Sequence, residues 1–360
     1  MLNDLLKSIN KTKYLTQIGD ISITTKLTRQ QKYNNYWEFY VKKYLTSSLI
    51  VYINLSKVFK ERMNLLSMPE EFEYCGTIYK PCVNSWNITS KVENLLNYNL
   101  LDNEEHPLFE IKNAVVNHLS LTRDSINQQI THYKLFDSEK KIVSTEENFD
   151  KLFVSSANPF RSKDFVFYIN DSRCLRTNIC AHLNKILGDG FTDIIIVGDV
   201  FTKNQNFLEC SHQLAIVRSF TAEELHFMQP KETLFVQNYE NILGNMQSNR
   251  QACHTHPTVQ ALNVQVRVSL NKLLEKLCGK FAFNDRPAAV PFIFPSNVLK
   301  MQYKGQLIEI AHFGILDQKI LFETKHKSKV AYIIIINLDN LTIMAKDLSN
   351  IKDLWPKNLF

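Results

Sequence analysis

Apolar residues recur along this chain with two periods. Over His106–Leu121 they fall at Leu108, Ile111, Val115 and Leu119, one face of a helix with Pro107 in its first turn. The same spacing predicts a helix over Cys174–Leu187, with Leu175, Ile179, Leu183 and Ile186 in line. A longer helix is predicted over His256–Gly279, where Val259, Leu262, Val266, Leu270, Leu273 and Leu277 line one side. Gly279 stands where a C-terminal cap belongs. Period two, or a short unbroken apolar run, predicts strands at Phe165–Ile169, Ala289–Phe294, Leu299–Tyr303, Gln306–Phe313 and Val330–Leu338. Lys304-Gly305 is a tight turn between two of them, and Leu341–Leu348 is helical. Ile194–Phe220 reads as strand, polar loop, strand, with Gly198-Asp199 closing the first strand and His212-Gln213 opening the second. Helices and antiparallel strands mix without a strand-helix-strand rhythm, which makes the fold class α+β.

The first 68 residues differ from the rest. Leu5–Tyr14 is weakly helical, Asn34–Leu45 is aromatic and amphipathic, and Ile53–Met68 reads as a basic helix capped by Asn54 or Ser56. Eleven Lys/Arg face four acids there, a charge of +7, which leaves −1 for the remainder of a chain whose net charge is +6. A basic, acid-poor front suits an organelle address, an RNA-binding arm, or a solvated face with no specific role. Pro69 marks the boundary, so residues 1–68 are expected to form a basic N-terminal extension and residues 69–360 the globular domain.

Composition narrows the class without choosing a function. The 360 residues are 44% hydrophobic and 22% charged, globular values that allow a sizeable core. No apolar run reaches the roughly 18 residues that span a bilayer, so no membrane insertion is expected. Seven scattered cysteines without a CxxC pair suit free thiols in a reducing compartment. His254 and His256 form a potential metal pair, although neighbouring loop histidines are more often solvated. Cys180 with His182, or Cys210 with His212, would suit nucleophilic catalysis only with an orienting third group that the sequence does not reveal.

The ordered blocks HPLFEIKNAVVNHL, NFDKLFVSSANPFRSK, LRTNICAH, VGDVFTKNQ with HQLAIVRSF, the long helix, and PFIFPS with YKGQLIEIAHFGIL resemble the catalytic domain of mitochondrial phenylalanyl-tRNA synthetase over about residues 72–355. The resemblance implies a class II synthetase fold, an antiparallel sheet flanked by helices that holds ATP and phenylalanine on one face. It also implies a tRNA acceptor surface and a mitochondrial matrix location. The family's anticodon-binding domain has no counterpart before the last residue, Phe360, and is expected to be absent.

Position by position, the resemblance implies extensive loss of ligand contacts. The clamp's aromatic residue is kept as Phe201, but its phosphate-gripping arginine is Thr202 and the following acid is Asn204. The His-Gln pair is kept as His212 and Gln213, and the glutamate after it is Ala215. The Thr-Ser-Ala-His-Gln segment reads Ile179, Cys180, Ala181, His182 and Leu183. The Phe-Pro-Phe wall of the amino-acid pocket reads Val290, Pro291 and Phe292. Glu309 is kept, while the glycine-lined floor becomes Ala311-His312-Phe313-Gly314, with two rings expected to crowd it. In the last motif isoleucine and asparagine replace the glycines, and the Glu-Arg pair is Asp339-Asn340. Arg176 and Glu309 suit core or rim ion pairs as well as a site, and His212 and Gln213 suit buried polar partners.

Phosphoryl chemistry leans on arginine, whose fork makes bidentate, charge-assisted hydrogen bonds. Losing one preorganised donor costs about 10²–10³ in rate, and losing two about 10⁴–10⁶ if they act independently. Three readings follow. In the first, a synthetase-like pseudoenzyme needs no cofactor and binds RNA, tRNA-like, or a protein partner. In the second, an active phenylalanine-tRNA ligase uses ATP and magnesium through divergent contacts. A pocket remodelled for another small ligand is a third.

Overall fold

Val330–Asn337 is an eight-residue strand buried on both faces, and the domain is built outward from it. The computed structural model describes residues 68–121, 131–203, 209–226 and 231–356. The basic front and Asn204 therefore lie outside the described residues, apart from Met68. The strands of the main sheet are β1 (Lys134–Phe136), β2 (Ile194–Phe201), β3 (Cys210–Phe220), β4 (Asn284–Pro287), β5 (Ile293–Tyr303), β6 (Gln306–Leu316) and β7 (Val330–Asn337). Their order across the sheet is β1-β2-β3-β7-β6-β5-β4. Only β1 and β2 pair in parallel; the other neighbours are antiparallel.

Alternation along these strands sorts side chains to two layers. On one face Ile195, Leu214, Ile216, Ile334 and Ile336 meet three helices, α1 (Pro107–Leu121), α2 (His256–Cys278) and α3 (Leu338–Ala345). On the other, Ile194, Ile196, Ala215, Ile333 and Ile335 pack beneath Phe149, Leu152, Ile179, Leu183 and Phe292. The first is called the helix face and the second the front face.

Local chemistry fixes the ends of these elements. Thr255 caps α2 by accepting from the Thr258 amide, Pro257 occupies the first turn, and Gly279 ends the helix at φ 76°. Lys304 and Gly305 both have positive φ, as a two-residue hairpin of this kind requires. Gly314 has no room for a side chain, because a Cβ there would lie 2.1 Å from the Pro295 carbonyl oxygen.

Three sequence expectations are corrected. Cys174–Leu187 is not one helix: Arg173–Leu175 is a strand in a small three-stranded sheet, and a 3-10 turn (Ile179–His182) leads into Leu183–Gly188. The helical spacing of its apolar residues is coincidental, since Leu175 and Ile179 join opposite core layers. Ala289–Phe294 and Leu299–Tyr303 are not separate strands, because one strand runs from Ile293 to Tyr303. Phe313 does not crowd the front. It points to the helix face, with its ring 6.0 Å from Phe283 and 5.4 Å from the Arg267 guanidinium.

Gly314→Ala should destabilise the domain by about 1–3 kcal/mol or more, the cost of overpacking a closed core. Urea denaturation measures this, and an unchanged midpoint would contradict the close approach of β5 to β6.

Candidate functional site

The front face at the β2, β3, β7, β6 end is where the sequence placed the ligand contacts. Register puts Ile196, Ala215, Ile335 and His312 in one row across four strands. Directly opposed residues of antiparallel strands have Cβ atoms about 4.5–5.5 Å apart. Ala215 and Ile335 are therefore neighbours. Where the resemblance implies a glutamate facing a glycine, a small residue faces a large one, and the space left by one is taken by the other. Ile335 is only 8% exposed and joins Val200, Ile333 and Phe292 in a continuous apolar layer. Burying such a side chain stabilises by about 1.5–3 kcal/mol.

The polar residues around this layer are engaged with the protein itself. The Gln213 side-chain carbonyl accepts from the Ile179 backbone N–H at 3.2 Å. Asn337 caps α3 by accepting from the Asn340 amide at 2.9 Å. The Asn340 side chain donates to the Glu309 backbone carbonyl at 2.8 Å. A bulge between Leu299 and Lys300 brings Glu309 and His312 to the same side of β6, where the ring meets the carboxylate at 2.7 Å. That hydrogen bond holds the Glu309 carboxyl below its usual range against the opposing effect of burial. Thr202 follows the end of β2, and its amide donates to the Glu209 carbonyl at 3.2 Å. Lys203, the cation next to it, turns away. Its ammonium donates to the Lys163 carbonyl at 2.8 Å and lies 5.1 Å from the Phe167 ring.

Arg176, 1% exposed, lies near the row beside β2. It lies over Gly198, where a Cβ would meet its Nη2, and its Nε donates to the Asp199 carbonyl at 2.9 Å. Its Nη1 has no hydrogen-bond partner. Burial pulls its pKa below the ordinary guanidinium value. Gly198 is thus kept small to seat Arg176 rather than to admit a ligand.

His212 and Gln213 do not act as a pair, because alternation sends them to opposite faces. His212 is 1% exposed on the helix face, with Phe201 in the same layer. Its Nδ1–H donates to Asp339 Oδ1 at 2.7 Å, and its backbone amide donates to Asp339 Oδ2 at 2.8 Å. Its Nε2 lies 3.6 Å from Asp199, whose carboxylate also pairs with Lys141. The Trp355 ring covers the imidazole at 5.3 Å between centroids. Burial disfavours the charged ring, but Asp339 and then Asp199 outweigh it and raise the His212 pKa above its ordinary value. Lys141 and Trp355 were not foreseen from sequence. They lie 71 and 143 positions from His212, and no local pattern links them.

The other sequence candidates resolve as core residues. Burial raises the Cys180 and Cys210 thiols well above their ordinary values, which removes the thiolate a nucleophile needs. His254 is buried with Nε2 on Gln318 at 3.0 Å and its pKa lowered to about 4 by burial. No group of three or more His, Cys, Asp or Glu residues suited to a metal occurs among the described residues. No helix among them is long and apolar enough to cross a membrane.

A mixed sheet with β2-β3 as a hairpin, β7 beside it and a helix starting at Leu338 is the arrangement of a class II synthetase core. Residues 103–360 match the family described as tRNA synthetases class II core domain (F), and the chain belongs to that family. Among curated proteins it is 26% identical to the mitochondrial phenylalanine-tRNA ligase of Mus musculus, covering 76% of this chain and 60% of that one. It is 24% identical to the probable mitochondrial phenylalanine-tRNA ligase of Drosophila melanogaster, covering 81% of this chain and 67% of that one. The chain thus spans about 60% of the length of the mouse protein. A solved pyrrolysyl tRNA synthetase from Desulfitobacterium hafniense aligns with TM-score 0.45 and 12% identity over 74% of this chain and 78% of its own.

Stability should fall as pH rises above about 6.5, through the window below the range where buried thiols titrate. A histidine whose folded pKa is raised contributes fully below the unfolded value near 6.5 and loses that contribution as pH climbs through the folded value. The histidines with lowered values, such as His106, His118 and His254, act below that window. The buried thiols act above about pH 8.5. Denaturant midpoints across the window report on His212, and a flat or rising profile would contradict its raised pKa.

Proposed function

We propose that this chain is a mitochondrial phenylalanyl-tRNA synthetase-like protein that has given up adenylate chemistry and acts by binding. The observation that carries this is the pair of positions Thr202 and Asn340. Each stands where the resemblance implies an arginine on ATP, neither supplies a cation, and the Asn340 amide is taken by the Glu309 carbonyl. Ile335 and the Gln213–Ile179 hydrogen bond support the same reading, since both close the face a nucleotide would occupy. ATP and magnesium then have no role.

The favoured partner is a tRNA-like RNA. The family likeness supports it, and the +7 charge of the first 68 residues would attract phosphate. A protein partner is the alternative that co-purification would reveal. The names of the mouse and fly relatives support a mitochondrial location; within it we place the chain in the matrix, with residues 1–68 as the address, the RNA arm, or both.

The discriminating assay is phenylalanine-dependent ATP-pyrophosphate exchange by the purified full chain. The expected rate is lower than that of an ordinary member of the family by about 10⁴-fold or more, the consequence of losing two preorganised cations. Exchange within about a hundredfold of that member would instead establish an active phenylalanine-tRNA ligase with divergent ATP contacts.

A further inference from the structure

One imidazole joins the start of α1 to a 3-10 turn near the C-terminal end of the domain (Ile351–Leu354). His106 precedes Pro107, and its backbone carbonyl accepts from the Phe109 and Glu110 amides at 3.0 and 3.3 Å. Pro107 has no N–H, so the Leu108 amide is the first donor that the helix presents. His106 Nδ1 accepts from that amide at 3.2 Å. On the other side of the ring, Nε2 lies 2.9 Å from the Leu354 carbonyl oxygen. These two contacts fix the state of the ring. Nδ1 must offer a lone pair to Leu108, so the proton sits on Nε2, which donates it to Leu354. Only the neutral imidazole makes both hydrogen bonds.

We propose that His106 is a proton-operated latch, which holds the Ile351–Leu354 turn against the start of α1 when its ring is neutral and releases it when its ring is protonated. A proton on Nδ1 would face the Leu108 N–H, donor against donor, at the positive end of a helix dipole. The groups around the ring do not rescue the cation. Burial disfavours it most, and His212, from β3, adds to that effect. Together they outweigh the Leu354 carbonyl and Asp339, from the first turn of α3, and hold the His106 pKa below its ordinary value. Asp353, on the turn itself, is engaged by the Ser349 and Asn350 amides at 2.8 and 3.1 Å. Asp102, on the segment before the ring, pairs with Lys112 at 3.6 Å. Glu104, Glu105 and Lys352 are exposed to solvent. What the latch controls is the residue after Leu354. Trp355 covers the His212 ring at 5.3 Å between centroids and meets Tyr98 at 5.9 Å. Release of the turn would uncover His212 and its two bonds to Asp339, where β3 is tied to α3. The inference is independent of what the front face does.

The test is amide hydrogen exchange of the full chain from about pH 7.5 to about pH 5, corrected for the intrinsic exchange rate and read separately for the turn and for β7. The Asp353 and Trp355 amides donate to the Asn350 and Lys352 carbonyls within the turn. Their protection should fall by about tenfold or more as pH drops below about 6.5, the scale of losing one hydrogen bond and leaving a donor unpaired. Protection of β7 should stay constant over the same range. Two variants separate the two bonds of the ring. His106→Gln keeps a donor for Leu354 and does not titrate, so its turn should stay protected throughout. His106→Asn keeps an acceptor for Leu108 but is too short to reach Leu354, so its turn should be open at every pH. Turn protection that ignores pH, or that is lost only together with β7, would overturn the proposal. So would a His106→Gln protein that titrates like the wild type, or a His106→Asn protein with intact β7 protection and a wild-type turn at about pH 7.5.

Discussion

The opposition of Ala215 and Ile335 across β3 and β7 is the constraint on which the front face depends. Antiparallel register leaves no freedom there, since a slip of one residue would turn every side chain of β7 to the wrong layer. With Ile335 fixed forward, residue 215 must be small, and the row from Ile196 to His312 closes into a surface. The same register sends Ile334 and Ile336 back against the helices. A strand with isoleucine on both faces suits a sheet packed on both sides. It is a poor lining for a groove that brings a nucleotide against backbone. Uncharged side chains at Thr202 and Asn340 and the bulk of Ile335 therefore support the same proposed reading.

The survival of other family residues has a separate cause. Asp339 and His212 are joined by two hydrogen bonds across the helix face, tying the start of α3 to β3. Removing either partner would leave a buried charge, at a cost of about 3–5 kcal/mol. Asp199, Lys141 and the Trp355 ring complete the enclosure. Such a network is kept for folding whether or not chemistry takes place on the other face. Arg176, seated over Gly198, belongs to the same category. Polar residues on this sheet thus divide by face. His212 and Asp339 on the helix face hold the scaffold, and Gln213 on the front face accepts an internal hydrogen bond.

Much of the fold was legible because its signals are local. The α1 and α2 stripes, the Gly279 cap, the Lys304-Gly305 turn and the β2-β3 hairpin each follow from residues within one element. The failures came where tertiary context decides. Cys174–Leu187 has helical spacing, yet its first residues are pulled into a small sheet by Ile142–Ser144 and Tyr168–Asn170. Phe313 was placed on the floor by motif position, but alternation turns it to Phe283, while the bulge at Leu299/Lys300 is what lets Glu309 and His312 share a side. At the site, the altered positions were readable one by one. Their mutual compensation was not, because it depends on register between strands more than a hundred residues apart.

The closure of the front face is most directly tested by thermal unfolding of the purified chain with and without saturating ATP and phenylalanine, singly and together. A ligand that binds only the folded state must stabilise it by RT ln(1 + [L]/Kd), about 2.7 kcal/mol at a hundred times Kd. The filled layer over β2, β3 and β7 predicts no rise in melting temperature with either ligand or both. A clear upward shift with ATP or phenylalanine would show that the face is open, and would contradict the account.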